Sequence, residues 1–364
     1  MKEFVQMRRD RLTFAMMIGV PVMQLVLFGY AINMDPKGLP VAVVNAEASV
    51  FTRSLTRALE NTGYFRVVAT PATVAEGHRL ITLGEVQFVL QVPEDFSRRL
   101  QRGERPAVLV EADATDPAAT SNAITALQQI GITGLDHDLV GPLAPLKAAV
   151  PPFEIRVHRR YNPEGITQYN IVPGLMGVVL TMTLVMMTSI AMTRERERGT
   201  MENLLATPVR PLEVMLGKIV PYILVGYVQV IVILTAANYL FRVPMVGSLI
   251  LLSLLLVLFI AANLAIGFTF STIAKSQMQA MQMTMFFFLP SLLLSGFMFP
   301  FRGMPGWAQV LGEIFPLTHF LRIVRSILLK GGGFADVAPH VWPLAVILLV
   351  VSTAALKRYQ RTLD

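Results

Sequence analysis

The stretch RERERGTMENLLATPVRPLEVMLGK, Arg194–Lys218, stands between two long apolar runs, and its reading decides how the rest of the chain is divided. It is too short to be a domain. Gly199 breaks the helix that carries the alternating Arg194, Glu195, Arg196, Glu197 and Arg198. Thr200 can cap a new helix, with Glu202 in its first turn, where a carboxylate suits the positive end of the helix dipole. Pro208 pushes Thr207 out of the helical region, so this second helix is short. Pro211 suits the first position of a third helix, with Glu213 in its first turn and Lys218 at the entrance to the next apolar run. The expected object is a small helix lying across a membrane surface, with Met201, Leu204 and Leu205 available to a partner's groove. The same charges also satisfy the positive-inside bias of an ordinary loop, and spacing alone leaves both readings open.

Composition sets the class around this insert. Of 364 residues, 54% are hydrophobic and 15% charged, and the mean hydropathy is +0.56, which marks an integral membrane protein. The formal net charge is +7, but many basic residues flank apolar runs, where lipid and membrane orientation account for them. No stripe of interleaved aromatic and basic residues supports a nucleic-acid partner. With no cysteine, thiol catalysis, disulfides and Cys-based metal sites are excluded. His78, His137, His158, His319 and His340 show no metal-ligand spacing, and no metal is expected.

The apolar runs predict an α-helical polytopic membrane protein of six transmembrane helices. Residues 1–11, with Lys2, Arg8, Arg9 and Arg11 among apolar residues, read as an interfacial amphipathic helix. Spans are expected at 12–34, 166–193, 218–242, 246–273, 278–299 and 337–356, each long enough for a hydrocarbon core of about 30 Å. Gly29-Tyr30-Ala31 offers small residues for signal cleavage, but the apolar segment is long for a signal peptide and is expected to remain. Both ends are then cytoplasmic, the 194–217 loop is cytoplasmic, and 357–364 is a cytoplasmic tail.

Between the first two spans, residues 35–165 differ in kind and predict an inserted extracytoplasmic α/β domain. Strand-like segments at 41–44, 66–70, 88–92, 107–111 and 153–158 alternate with helical ones at 51–62, 74–83, 93–100 and 118–139. Pro142, Pro145, Pro151 and Pro152 mark a break before the last strand. Asp113, Asp116, Asp136 and Asp138 are tempting carboxylates, yet no nucleophile with a His partner is recognisably spaced, and the domain is not expected to be catalytic. Residues 300–335 depart from the charge bias, holding Arg302, Arg322, Arg325 and Lys330 against Glu313 alone. Pro305, Gly306 and Pro316 break helices there, which predicts a re-entrant hairpin with a basic amphipathic piece at the outer leaflet.

Three blocks carry a resemblance. E-R-E-R-G-T-x-E-x-L-L-x-T-P at Glu195–Pro208 is the first, followed by Glu213 and Gly217-Lys218. Tyr161-Asn162-Pro163 with Val172-Pro173-Gly174-Leu175 is the second. The third is L-S-G-F-M-F-P-F at Leu294–Phe301 followed by P-L-T-H-F-L-R-I-V-R at Pro316–Arg325. Together they resemble the permease subunits of type-2 ABC transporters, in the drug- or lipid-efflux-like branch with a large extracytoplasmic domain. The resemblance implies that the short helix is a coupling helix seated in a cleft of an ABC ATPase subunit. It assigns Glu197, Gly199, Thr200, Glu202, Leu204, Leu205, Thr207 and Pro208 to that interface. It further implies a second permease, as homodimer or heterodimer, a periplasmic adaptor, and a bacterial inner membrane as the location. This chain binds no cofactor in that scheme; ATP and Mg belong to the partner subunit.

Two features of the residues agree. No G-x-x-x-x-G-K-[ST] occurs in the chain, so hydrolysis must come from another polypeptide. No Asp, Glu, Lys or Arg lies near the middle of an expected span, whereas ion-coupled transporters commonly keep an ionisable relay there. Met278, Met281, Gln282, Met285 and Phe286 form a soft face suited to apolar ligands or to the partner permease, and equally to lipid or helix packing. The expected function is export of an amphipathic or hydrophobic substrate, without enzyme activity in this chain. An ion-coupled secondary transporter, a non-transporting receptor or scaffold with an external sensor domain, and a membrane-anchored enzyme are the alternatives.

Overall fold

Apolar periodicity changes twice along the chain, and each change marks a boundary. The computed structural model describes residues 19, 21–31, 33, 35–147, 151–197 and 211–361. They form two compact units: Asn33–Asn170 with Arg302–Met304 is an α/β unit, and the remaining described residues form a helical unit. The first described helix, α1 (Pro21–Tyr30), is short and apolar and belongs to the helical unit.

In the α/β unit, strands of alternating or wholly apolar residues are separated by capped helices. The order is β1 (Leu39–Asn45), α2 (Val50–Asn61), β2 (Phe65–Ala69), α3 (Val74–Leu83), β3 (Phe88–Val92), α4 (Phe96–Gln101), β4 (Ala107–Asp113), α5 (Pro117–Thr133) and β5 (Glu154–Arg160). Ser49 starts α2 by accepting from the Thr52 amide, and the Thr52 hydroxyl oxygen in turn accepts from the Ser49 amide. Thr73 caps α3, and Gly84 at φ 75° ends it in the left-handed conformation that glycine adopts without cost.

The five strands run in the order β2-β1-β3-β4-β5. All neighbours are parallel except β3 and β4, which pair antiparallel with Phe88 opposite Ala112. β1 is buried on both faces, as a central strand should be. Leu39, Val41, Val43, Phe88, Leu90 and Val110 face a core closed by Leu55, Leu59, Phe96 and Leu127. Each such burial contributes about 1.5–3 kcal/mol. Ala42, Val44 and Val89 face a smaller cluster with Ile81 and Val86. On β4, Glu111 is only 5% exposed. Its carboxylate lies 2.6 Å from His78 Nε2 and 3.4 Å from an Arg160 guanidinium nitrogen, and Arg160 supplies the opposite charge that compensates the burial.

Against the expectations, the helix at 118–139 stops at Thr133, although Leu135 and Leu139 remain buried. The apolar period continues because the side chains still reach the core, while the backbone has already left the helix. The Pro-rich break contains a 3-10 turn over Gly141–Lys147.

The helical unit continues with α6 (Thr167–Glu197), α7 (Pro211–Tyr239), α8 (Leu249–Ile273), α9 (Gln277–Leu294), α10 (Gly306–Gly312), α11 (Pro316–Arg325), a π-helical turn at Ser326–Lys330, and α12 (Phe334–Arg361). Among the described residues, four helices are long and apolar enough to cross a membrane, at Thr167–Glu195, Val220–Tyr239, Leu249–Ile273 and Phe334–Arg358. Six spans were expected. The first of them corresponds to α1, and the residues before 19, including the interfacial helix expected at 1–11, lie outside the described residues. The fifth corresponds to α9, shorter than the 278–299 run because Gly296, at φ 82°, takes the chain out of helix after Ser295.

Two glycines let helices approach closely. A Cβ at Gly267 of α8 would lie 2.6 Å from the Val185 carbonyl oxygen of α6, and one at Gly177 of α6 would lie 2.8 Å from both Leu317 and Phe320 of α11. Leu184, Phe259, Phe268 and Phe320 are completely buried in the resulting core, and the rings of Phe259 and Phe320 stack at 4.0 Å.

The segment expected to form a re-entrant hairpin with a basic amphipathic piece packs its apolar side chains into this core. Leu317, Phe320, Leu321 and Val324 of α11 are buried. Arg322 makes two hydrogen bonds to the Glu313 carboxylate, at 3.1 and 2.6 Å, and stacks 4.5 Å from the Phe301 ring centroid. Arg325 donates through both terminal nitrogens to the Gly296 carbonyl at 3.2 Å. The charges of Arg322 and Arg325 are thus taken up by one carboxylate, a carbonyl and an aromatic face.

Candidate functional site

The alternating charges at the end of α6 place Arg194 and Glu197 three residues apart, hence on one face of the helix. That face meets the first residue of α9. Glu197 accepts from the backbone amide of Gln277 through Oε1 at 2.8 Å and from the Gln277 side-chain amide through Oε2 at 2.5 Å. Arg194 Nε donates to Gln277 Oε1 at 3.4 Å. The two bonds from Gln277 hold the Glu197 carboxyl below the usual carboxylate range, against a smaller opposing effect of burial.

α9 is built to receive such a partner. Its cap, Ser276, accepts from the Gln279 amide at 3.2 Å, and the Gln279 side chain turns back to accept from the Lys275 amide at 2.8 Å. These bonds occupy the amide of Gln279 and leave that of Gln277 to Glu197. A carboxylate at a helix N-terminus also faces the positive end of the helix dipole.

The other residues assigned to the coupling interface, Gly199, Thr200, Glu202, Leu204, Leu205, Thr207 and Pro208, lie outside the described residues. The segment 198–210 is bounded by described helices on both sides, α6 ending at Glu197 and α7 beginning at Pro211. Glu197 is therefore a stem residue of that segment whose carboxylate is engaged within its own chain.

The residues expected to form a soft face lie on α9. Met278, Met281 and Phe286 are exposed, at 69%, 46% and 42%. Gln282 and Met285, on the same helical face, are half-buried. Met285 packs against the main core, and Gln282 Oε1 is buried without a hydrogen-bond partner. The opposite face of α9 holds buried Ala280, Thr284, Phe288 and Ser291.

Three of the four tempting carboxylates of the α/β unit have structural tasks, while Asp138 Oδ2 is buried without a hydrogen-bond partner. Asp113 accepts from the Thr115 amide and hydroxyl at 3.1 and 2.8 Å, Asp116 accepts from Asn170 at 3.3 Å, and Asp136 pairs with Lys147 at 3.9 Å. Among the described residues no group of three His, Cys, Asp or Glu is arranged to hold a metal.

Sequence reading missed Gln277 and the polar ties between helices. Thr183 donates to Gln229 at 3.0 Å, joining α6 to α7, and the Tyr227 hydroxyl donates to the Ser253 carbonyl at 2.8 Å, joining α7 to α8. The only sequence signal at Gln277 is the Ser276-Gln277-x-Gln279 start of a helix, which names a cap but not a partner eighty residues away.

Comparison with known proteins agrees with the three sequence blocks. Residues 11–357 match the family described as ABC-2 family transporter protein. The chain is 28% identical to the probable multidrug ABC transporter permease YbhR of Escherichia coli, over 99% of this chain and 96% of that protein. It is 28% identical to the probable multidrug ABC transporter permease YbhS of the same organism, over 96% of this chain and 91% of the relative. Identity with the E. coli inner membrane transport permease YhhJ is 31%, over 77% of this chain and 74% of the relative.

Proposed function

Because the chain belongs to the ABC-2 family of transporter proteins, we propose that it is the membrane permease of an ATP-driven exporter of amphipathic or hydrophobic molecules. The observation that carries the reading is a family match spanning both units, with relatives named as multidrug permeases across nearly their full length. In this reading the chain pairs with a second permease, and each protomer presents residues 199–208 to an ABC ATPase subunit. The termini and segment 198–210 lie in the cytoplasm of a bacterial inner membrane, and the α/β unit lies outside, where it can meet a periplasmic adaptor.

The division of labour follows from what the chain contains. It has no phosphate-binding loop, so ATP and Mg are held by the partner and the work arrives mechanically. ATP-driven closure of the two ATPases displaces segment 198–210. The helices on either side of it, α6 and α7, begin and end at that segment and so are the first to move. The exposed Met278, Met281 and Phe286 offer the moving permease a polarizable surface that apolar substrates of varied shape can slide along.

Gentle purification from native membranes tests the assembly. Recovery of a nucleotide-binding ATPase with the chain is expected; isolation without one, under conditions that preserve complexes, or transport driven by an ion gradient without nucleotide, overturns the reading. Glu202→Arg and Leu205→Asp are expected to leave the chain in the membrane and to abolish most ATP-dependent efflux. Undiminished efflux by both variants would remove 199–208 from the coupling role.

A further inference from the structure

A helix begins with backbone amides that no residue of that helix can satisfy. At α9 one of them is satisfied from another helix, by a side chain at the stem of segment 198–210. The bond is not isolated. The same carboxylate takes the Gln277 side-chain amide, and Arg194 donates to the remaining Gln277 oxygen, so both polar ends of Gln277 are held by one face of α6.

An exposed hydrogen bond contributes only about 0.5–1.5 kcal/mol, so this grouping is a weak stabiliser of the fold. Its geometry is another matter. Two bonds to one carboxylate, from a backbone amide and from a side-chain amide, fix orientation as well as distance. They join the last described turn of α6 to the first turn of α9, and Met278 and Met281 follow within that turn and the next. A displacement of segment 198–210 therefore has a direct route into α9 that does not pass through α7 or α8.

We propose that Glu197 and Gln277 form a clasp that makes α6 and α9 move as one body when segment 198–210 is displaced. Glu197 is then a positioning residue that passes motion to the Met-rich face of α9, rather than a contact to the ATPase. This rests on the exporter reading and adds the path by which the borrowed motion reaches the surface that substrate would meet.

The absence of cysteine permits a direct test in the full chain assembled with its ATPase. A nitroxide on Met281→Cys reports the motion of α9, and ATP with vanadate supplies the displacement. The wild-type background is expected to show a nucleotide-dependent change in label mobility. Gln277→Glu, which sets two carboxylates against each other, is expected to reduce that change about five-fold, in line with losing the side-chain hydrogen bond. The double variant Glu197→Gln with Gln277→Glu restores an amide opposite a carboxylate and is expected to recover the response to within about two-fold.

An undiminished response in Gln277→Glu, or no recovery in the double variant, overturns the clasp. So does a wild-type complex whose label does not respond to nucleotide. A second arm does not depend on those variants: Glu197→Cys with Gln277→Cys, joined by a short bis-thiosulfonate linker, keeps the clasp closed. With Met281 native in this arm, the ATP hydrolysis of the complex is expected to stay within about two-fold of the unlinked pair. Loss of hydrolysis on linking, reversed by reductant, would show that the two helices must part and would overturn the proposal. Failure of the exporter reading is distinguishable, since it appears earlier, as a chain that recruits no ATPase.

Discussion

In the α/β unit a carboxylate, Glu111, is 5% exposed and paired with His78 and Arg160. In the helical unit the buried polar side chains among the described residues are Thr, Ser, Asn, Gln and one His, while Arg194 and Glu197 stand at a helix end. The two units bury similar Leu, Val and Phe side chains, so the contrast does not come from the core. In the proposed reading it comes from what surrounds each unit, water around the sheet and lipid around the helices. Water drives the sheet and its helices together, and the surplus of apolar burial can absorb one compensated ion pair. Between helices in lipid the hydrophobic drive is nearly absent, so close contact at small residues and a few neutral hydrogen bonds set the arrangement. Charge is left for the ends, where it can fasten one helix to another.

Phe88→Ala strikes the first half of this comparison hardest. It removes a completely buried ring that meets Phe65 edge-on at 5.2 Å, and a loss of about 3–5 kcal/mol is expected. Hydrogen exchange of β1 and β3 amides in the full chain measures it, and exchange unchanged from wild type would mean that this core does not hold the sheet. Gly267→Val is the matching blow to the helical unit. Its first added carbon would lie 2.6 Å from the Val185 carbonyl oxygen, and about 1–3 kcal/mol of destabilisation is expected in detergent unfolding, although the substitution adds apolar surface.

Smaller effects sharpen the contrast. Ser49→Ala removes a helix cap in the α/β unit and is expected to cost about 1 kcal/mol. Thr183→Val removes the donor to Gln229 between α6 and α7 and is expected to cost about 0.6 kcal/mol, read by the same unfolding measurement. Equal costs would argue against the separation drawn between the two surroundings.

The smallest expected effect is that of mild acid on Glu197. Its carboxyl is held below the ordinary range, so the clasp is complete above that range and is lost only as pH falls through the lowered value. Label mobility at residue 281 is therefore expected to be constant from neutral pH to about pH 5. A transition within that interval would show that Glu197 is not fastened as described.

Much of the α/β unit was legible because its signals are local. The helix expected at 74–83 and the strand expected at 88–92 have those bounds in the structure, and the reason is visible in Thr73, Gly84 and the run Phe88–Val92. Pro211 opens α7 as its fixed backbone angle suggests. Where apolar period and backbone part company, as at Leu135 and Leu139, the sequence over-extended a helix. Around Arg322 and Arg325 it counted charges but not the Glu313 carboxylate and Gly296 carbonyl that answer them. The Met-rich face of α9 was readable from spacing, and Gln277 was not.

By itself the sequence determined the membrane class, the family and the alternation of strands and helices in the α/β unit, because run length, alternation and capping residues act within a few positions. Only the tertiary structure decided that β3 and β4 run antiparallel, that Gly267 lies against Val185, and that Glu197 reaches Gln277. Those contacts join residues far apart in the chain, where no periodicity records a partner and only the packed helices and strands choose one.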